Sequence, residues 1–293
     1  YRYKYNKYPE LKIIDKYPPC LQIEPTSICN LRCVMCYQAD NSFSNKSTGF
    51  MGHMELDLFK KIIDQVEGHV ESITFASRGE PFLNKNLIPM LDYCKGKFLA
   101  LKLNTNATLL NEKNIHALLN SDLQTIVFSI DSAEKEQYEK IRVNADFDSI
   151  VGNVKLFTDI KRKYFPNSKL IVRISGVQIN EDQSIKDMSA YWGQYADIVG
   201  FTNYLPWEDS YNNPLNAILD PCNELWRRMF IWWDGKVNPC DFDYKSVLSQ
   251  WNINKKGSYV SDIWNSDYYN NLRDFHQEGK RDEIKPCDRC INS

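Results

Sequence analysis

Nine cysteines stand in this 293-residue chain, and seven of them fall into two sets whose spacing could hold metal. The first set reads Cys29-Asn-Leu-Arg-Cys33-Val-Met-Cys36. Three soft thiolates on one short loop can wrap a soft metal centre. They leave a four-iron cluster one ligand short, so that its open iron can chelate another molecule. A three-cysteine zinc loop, or a group of buried thiols, is the plainer alternative. The second set, Cys222, Cys240, Cys287 and Cys290, comes from distant segments. Four thiolates closing on one centre suit tetrahedral zinc or a fully ligated iron–sulfur cluster equally well. Cys94, on a helical stretch, reads as core filling, and Cys20 stands just before the first strand.

The loop that carries the first set follows an apolar segment at residues 21–24, which predicts a strand. From there helical and extended patterns alternate to about residue 200. Helices are predicted over 54–65, 86–93, 112–119, 147–164 and 185–195, and further strands over 72–76, 98–103, 125–130, 170–179 and 198–201. Strands separated by helices predict an α/β fold with a parallel sheet, whose reactive groups gather at the C-terminal strand ends. Those ends are polar: Ser77-Arg78-Gly79-Glu80-Pro81, Asn104-Thr105-Asn106, Ser129-Ile130-Asp131 with Arg142 beyond it, and Arg173 to Val177 on the fifth strand. Taken singly, a Ser or Asn there is ordinarily a helix cap and Arg142 a solvated charge. Farther on, Asp234-Gly235 signals a hairpin turn, and a helix over 263–277 leads to the last cysteine pair.

With Cys-x3-Cys-x2-Cys after the first strand and the polar strand ends in this order, the chain resembles the radical SAM superfamily. The resemblance implies a partial (β/α)6 barrel in which Cys29, Cys33 and Cys36 hold a 4Fe-4S cluster. S-adenosylmethionine (SAM) would occupy its fourth iron and yield, on reductive cleavage, a 5′-deoxyadenosyl radical that abstracts a hydrogen atom. Gly79 and Glu80 match the family's Gly-Gly-Glu-Pro motif, which contacts the methionine amino group, with Arg78 in place of the first glycine. Asn104 matches the polar strand end beneath the cofactor, Ser129 and Arg142 the residues that bind its ribose and carboxylate, and Val177 the segment that packs on adenine. Tyr37 supplies an aromatic one place after the last cysteine, where many members carry one before it and this chain has Met35. Cys222-x12-Gly235-x4-Cys240 resembles the opening of the SPASM/twitch extension. Because only Cys287 and Cys290 follow, the resemblance is to the shorter form with one auxiliary 4Fe-4S cluster on Cys222, Cys240, Cys287 and Cys290, as in twitch-type 2-deoxy-scyllo-inosamine dehydrogenases. The implied organisation is an N-terminal extension (1–19), the barrel (20–205) and a small C-terminal cysteine-rich twitch/SPASM-like extension (206–293).

A fully ligated auxiliary cluster suits electron transfer. The expected reaction is therefore oxidation of a carbohydrate, aminocyclitol or related small molecule, with Arg78 or Arg173 helping to remove the proton. Epimerisation and modification of a ribosomal peptide use the same machinery and remain the alternatives. A non-catalytic iron–sulfur carrier or sensor would not need Glu80, Asn104, Ser129 and Arg142. The aromatic and acidic loop at 202–211 reads equally as a cap over the mouth of the site and as an aromatic-rich interdomain joint. A flavodoxin- or ferredoxin-type reductant is implied. The 36 Lys and Arg against 38 Asp and Glu give a net charge of −2, which supplies no basic field for nucleic acid. A hydrophobic share of 43% with 25% charged residues excludes a disordered chain. No run of about 18 apolar residues predicts a membrane span, and residues 1–8 lack the apolar core of a signal peptide. The expectation is a soluble cytoplasmic protein.

Overall fold

In a computed structural model that describes residues 1–291, eleven strands form two ladders; the last two positions of the 206–293 segment lie outside the described residues. The strands are β1 (Cys20–Ile23), β2 (Arg32–Cys33), β3 (Ser72–Phe75), β4 (Ala100–Thr105), β5 (Thr125–Ser129), β6 (Arg142–Val143), β7 (Ile171–Gln178), β8 (Ile198–Asn203), β9 (Arg228–Ile231), β10 (Lys236–Asn238) and β11 (Trp251–Asn252). Nine of them make one sheet in the order β11-β10-β9-β1-β3-β4-β5-β7-β8, and β2 pairs with β6. The run from β1 to β8 is parallel throughout. These are the six strands expected from the sequence, each reached through a helical crossover.

The helices form because each carries one apolar stripe. In the helix Leu56–Val66 the buried residues are Leu58, Phe59, Ile62, Ile63 and Val66, the spacing of a single helical face. Side-chain caps fix where others begin. Asp146 accepts from the Ser149 N–H, Ser184 from the Asp187 N–H, and Asn111 from the Asn114 N–H. The expected helix over 263–277 is two helices, Val260–Trp264 and Asp267–Gln277, because Ser266 caps a new start by accepting from the Tyr269 N–H.

Strand alternation then separates two environments. In β4, Leu101 and Leu103 pack outward into the main core beside Ile73, Ile126, Val172 and the helices. Lys102 and Asn104, one residue out of phase, line cavities on the inner face. Gln22, Thr74 and Ser129 share that inner face. The apolar sequence pattern thus builds the wall, and the polar residues between build the lumen.

The C-terminal segment joins the same sheet. β9 runs parallel to β1, with Cys20 opposite Arg228 and Ile23 opposite Ile231, and β10 returns antiparallel to it. The return turns at Gly235, whose φ of 86° only glycine takes freely, while Asp234 accepts from the Lys236 N–H at 3.0 Å. The Asp234-Gly235 hairpin is therefore as expected, but its first strand continues the barrel sheet. Among the described residues no helix is long and apolar enough to cross a membrane.

Candidate active site

The cysteine loop leaves β1 and is held by a short ladder as well as by its own contacts, among them Arg32 donating to the Cys29 carbonyl at 2.9 Å. β2 pairs antiparallel with β6, which sets Cys33 opposite Arg142. Arg142 reaches the Cys33 sulfur at 3.8 Å, while its Nε donates to Asp131 at 2.6 Å and its Nη2 to the other oxygen at 3.1 Å. The two-oxygen grip fixes the guanidinium plane. Asp131 also accepts from the Val177 N–H at 2.7 Å, so one carboxylate ties the ends of three strands together.

Cys29, Cys33 and Cys36 line a cavity of about 230 Å³ together with Tyr37, Gly79, Glu80, Asn104, Ser129, Arg142 and Val177. Every cofactor-contact residue expected from the sequence thus reaches one space. Burial pushes the Cys29 thiol up to about 12 and raises Cys33 and Cys36 as well. Bound positive charge at the loop would offset that burial. Among the described residues no three His, Cys, Asp or Glu side chains converge on the point a single metal ion would occupy. The thiols instead ring a space, which suits a cluster of several irons.

Glu80 sits at the bottom of this cavity. Its carboxylate accepts from the Thr105 hydroxyl and the Asn106 N–H, both at 2.7 Å, and from the Phe82 N–H at 3.2 Å. Burial nevertheless outweighs these bonds and pushes the carboxyl up to about 7. Gly79 precedes it where nothing larger fits: a Cβ would lie 2.3 Å from the Thr26 carbonyl oxygen and 2.5 Å from that of Ile28. Ser77 holds the strained φ of 143°, secured by the Tyr37 hydroxyl donating to its carbonyl at 2.7 Å. Gly79→Ala is expected to cost about 1–3 kcal/mol of stability and to push the Glu80 segment off the cysteine loop. Chemical denaturation with and without SAM would read both effects. Unchanged stability would mean that this approach of backbone to backbone is not tight in solution.

Two expected catalytic residues are placed differently from the rest. Arg78 lines the cavity wall, but its guanidinium is buried on the far side. Its Nη2 pairs with Glu24 at 2.7 Å, its Nη1 donates to the Tyr244 carbonyl at 2.7 Å, and it lies over the Trp232 ring at 4.3 Å. A guanidinium so engaged has no nitrogen left to take a proton from a substrate. Arg78 instead clamps the barrel to the C-terminal segment. Arg173 lines neither cavity around the cysteine sets, and its buried Nε has no hydrogen-bond partner.

The second cysteine set gathers at the other end of the lumen. Cys222, Cys240 and Cys290 line a cavity of about 280 Å³ with Gln22, Thr74, Lys102, Arg228 and Asp241, and Cys287 acts electrostatically on Cys240. Burial pushes the Cys222 thiol up to about 12 and raises Cys240 and Cys287 well above their ordinary value. The loops are fastened by residues that the sequence did not single out. Arg281, fully buried, donates to the carbonyls of Cys287 at 3.3 Å, Asp220 at 3.2 Å and Cys290. His276 accepts from the Cys222 N–H at 3.2 Å. Burial, reinforced by Arg281 and Lys12, pushes His276 down to about 4, so it stays neutral and keeps that acceptor free.

The two cavities share Tyr37, Ala76, Ser77, Asn104, Leu205 and Trp207. Trp207 comes from the 202–211 loop and stacks on Tyr37 with ring centres 5.9 Å apart, so that loop does reach the site. Ser77 Oγ, Asn104 Oδ1 and Trp207 Nε1 are buried at this seam without hydrogen-bond partners. Cys94 is core filling, as expected. Cys20 is the first residue of β1 rather than its forerunner, and neither thiol lines either cavity.

The family described as the radical SAM superfamily matches residues 23–188, more than half of the sequence. The chain belongs to the radical SAM superfamily. An iron–sulfur cluster-binding domain, SPASM, matches residues 222–291. The cofactors of this radical SAM protein are SAM and two 4Fe-4S clusters. The fold matches that of BtrN, crystallised in complex with AdoMet and 2-DOIA, with a TM-score of 0.66 at 19% identity over 95% of each chain. It also matches Streptococcus suis SuiB bound to the precursor peptide SuiA, with a TM-score of 0.64 at 16% identity over 97% of this chain and 72% of that one. In sequence, the uncharacterized protein MJ0804 of Methanocaldococcus jannaschii is 27% identical over 68% of this chain, and mycofactocin maturase MftC of Mycolicibacterium smegmatis 23% identical over 73%. The matched stretches span 62% and 51% of those two relatives.

Proposed function

We propose that this radical SAM enzyme oxidises a small polyhydroxylated or amino-bearing molecule, of the carbohydrate or aminocyclitol type, held between its two cysteine sets. Cys29, Cys33 and Cys36 would carry the SAM-binding cluster, with Tyr37, Gly79, Glu80, Asn104, Ser129, Arg142 and Val177 around the cofactor. Cys222, Cys240, Cys287 and Cys290 would carry the auxiliary cluster within the 206–293 extension, next to the 20–205 barrel and the 1–19 extension. When bound, SAM and its cluster supply a 5′-deoxyadenosyl radical, and the auxiliary cluster supplies a one-electron acceptor. The alcohol would give a hydrogen atom to that radical, an electron to the auxiliary cluster and a proton to water, which together make a two-electron oxidation to the carbonyl.

The observation that carries this reading is the shared wall of the two cavities. A molecule at the seam touches the cofactor cavity on one side and the second cysteine set on the other. Asn104, Ser77 and Trp207 offer it unpartnered polar atoms there. Trp207 and Tyr37 give a stacked aromatic wall suited to a ring. Peptide modification is the second reading, favoured by the likeness to SuiB over 97% of this chain. A flavodoxin- or ferredoxin-type protein is the proposed reductant.

Anaerobically reconstituted protein is expected to hold about eight irons, falling to about four when Cys29, Cys33 and Cys36 are changed to Ala. Given SAM and dithionite, the intact protein should release 5′-deoxyadenosine and, with substrate, one carbonyl product per deoxyadenosine. Turnover without net oxidation, or a requirement for a peptide, would replace oxidation with epimerisation or peptide modification. Absence of deoxyadenosine release would defeat the reading altogether.

A further inference from the structure

β7 ends at Gln178, and the chain has to turn before the helix Ile185–Trp192 begins behind its Ser184 cap. One buried side chain closes that turn. Gln183 is 2% exposed, and its amide bonds only to backbone. Its Nε2 donates to the Val177 carbonyl at 2.8 Å and to the Asp131 carbonyl at 2.9 Å. Its Oε1 accepts from the Ile179 N–H at 2.5 Å and from the Asn180 N–H at 3.2 Å. Two carbonyls on one side and two N–H groups on the other leave the amide a single orientation. A carboxylate could not donate to the carbonyls, an ammonium could not accept from the N–H groups, and an asparagine is one methylene shorter.

The residues so gripped form one wall of the cofactor cavity. Val177 lines it, and Val177 and Ile179 pack against Leu31, Cys33, Met35 and Ile141 at the cysteine loop. Asp131, whose carbonyl Gln183 holds, uses its carboxylate to fix the Val177 N–H at 2.7 Å and Arg142 at 2.6 Å, the guanidinium that reaches the Cys33 sulfur. Val177 is thus tied through its N–H to Asp131 and through its carbonyl to Gln183. Gln183 itself lines neither cavity around the cysteine sets, so it acts on a bound molecule only through these neighbours.

We propose that Gln183 is a positioning residue for SAM, which holds Val177 and the Asp131–Arg142 pair in one arrangement so that the wall SAM meets is preformed. A wall fixed in advance spares the ordering cost that binding would otherwise bear. The inference rests on the reading that SAM meets Val177 and Arg142 in this cavity, and adds to it a residue that touches no cofactor.

The test uses reconstituted holoprotein and SAM, titrated against the electron paramagnetic resonance signal of the reduced cluster at Cys29, Cys33 and Cys36. Gln183→Leu and the isosteric Gln183→Glu are both expected to weaken SAM binding about tenfold or more, with about eight irons retained. A side chain that only filled space would leave Gln183→Glu binding SAM as the native protein does. In release of 5′-deoxyadenosine the KM for SAM should rise while kcat is largely kept, whereas a loss of competent enzyme would lower kcat alone. On the unaltered sequence, SAM should slow hydrogen exchange at the Ile179 and Asn180 amides, which tests the coupling even if a variant fails to fold. Native affinity in Gln183→Glu, a fall in kcat without a rise in KM, or exchange there indifferent to SAM would overturn the inference. Val177→Phe, which narrows the cavity and leaves the backbone bonds of Gln183 in place, tests the parent reading. If it weakens SAM binding and the Gln183 variants do not, the positioning role fails and the parent reading stands; if none of them does, both fail.

Discussion

Replacing Arg78 by Met is expected to lower the unfolding free energy by about 3–5 kcal/mol, because it strands a buried carboxylate. Glu24 and Arg78 are both fully enclosed, and they meet at 2.7 Å across 54 residues of sequence. Burial still outweighs the Arg78 charge and pushes the Glu24 carboxyl up to about 7, above its ordinary 4.5. A carboxyl raised in the folded state contributes stability in full below its unfolded pKa and loses that contribution as pH rises through the folded one. The native protein should therefore lose part of its stability between about pH 4.5 and pH 7 through this group. In Arg78→Met the folded value climbs further, so the loss should be steeper above neutrality and the deficit smallest in acid, where Glu24 is neutral. Denaturant titrations of the single variant and of Glu24→Gln/Arg78→Met across pH would show it. A double variant no more stable than Arg78→Met at pH 8 would mean the pair is not coupled.

The second large effect is expected at Arg281. Its three backbone hydrogen bonds hold the loops of Cys287 and Cys290 and the chain at Asp220, and no carboxylate among the described residues pairs with it. Its charge pulls the Cys222 and Cys287 thiols down against burial. Arg281→Met removes the fork and leaves buried carbonyls unpaired, at about 1–3 kcal/mol each where water cannot replace it. The variant should retain about four irons of the eight, all at the Cys29 set, and still release 5′-deoxyadenosine. Any auxiliary cluster that does form should have a lower reduction potential than the native one, measured by redox-poised electron paramagnetic resonance. A full iron complement with an unshifted potential would reduce Arg281 to packing.

How legible this was in the sequence varies by residue. The cysteine loop and the six parallel strands were readable because each is local: thiol spacing in one case, period-two and period-3.6 apolarity in the other. Glu80, Asn104 and Arg142 could be expected beside the cysteine loop because they occur at strand ends in a fixed order, and they line one cavity with it. The Glu24–Arg78 pair could not, since nothing local marks two opposite charges just past the ends of different strands as partners. Arg78 was accordingly expected to do acid–base work. Lys102 did leave a signal, a single ammonium between Leu101 and Leu103, but its meaning depends on which face of the sheet is hollow. Arg281 and His276 left none, because their partners are backbone atoms of the cysteine loops.

The parallel pairing of β9 with β1 bears on how this chain can be divided. Glu24 N–H donates to the Ile231 carbonyl at 2.9 Å, and every residue of Cys20–Ile23 stands beside one of Arg228–Ile231. Cutting the polypeptide ahead of residue 222 would expose the backbone of an apolar edge strand at the very place where the cysteine loop begins, an invitation to intermolecular pairing. Domain shuffling is constrained in the same way. A C-terminal module borrowed from another member would have to bring a strand of matching register and a carbonyl for Arg78.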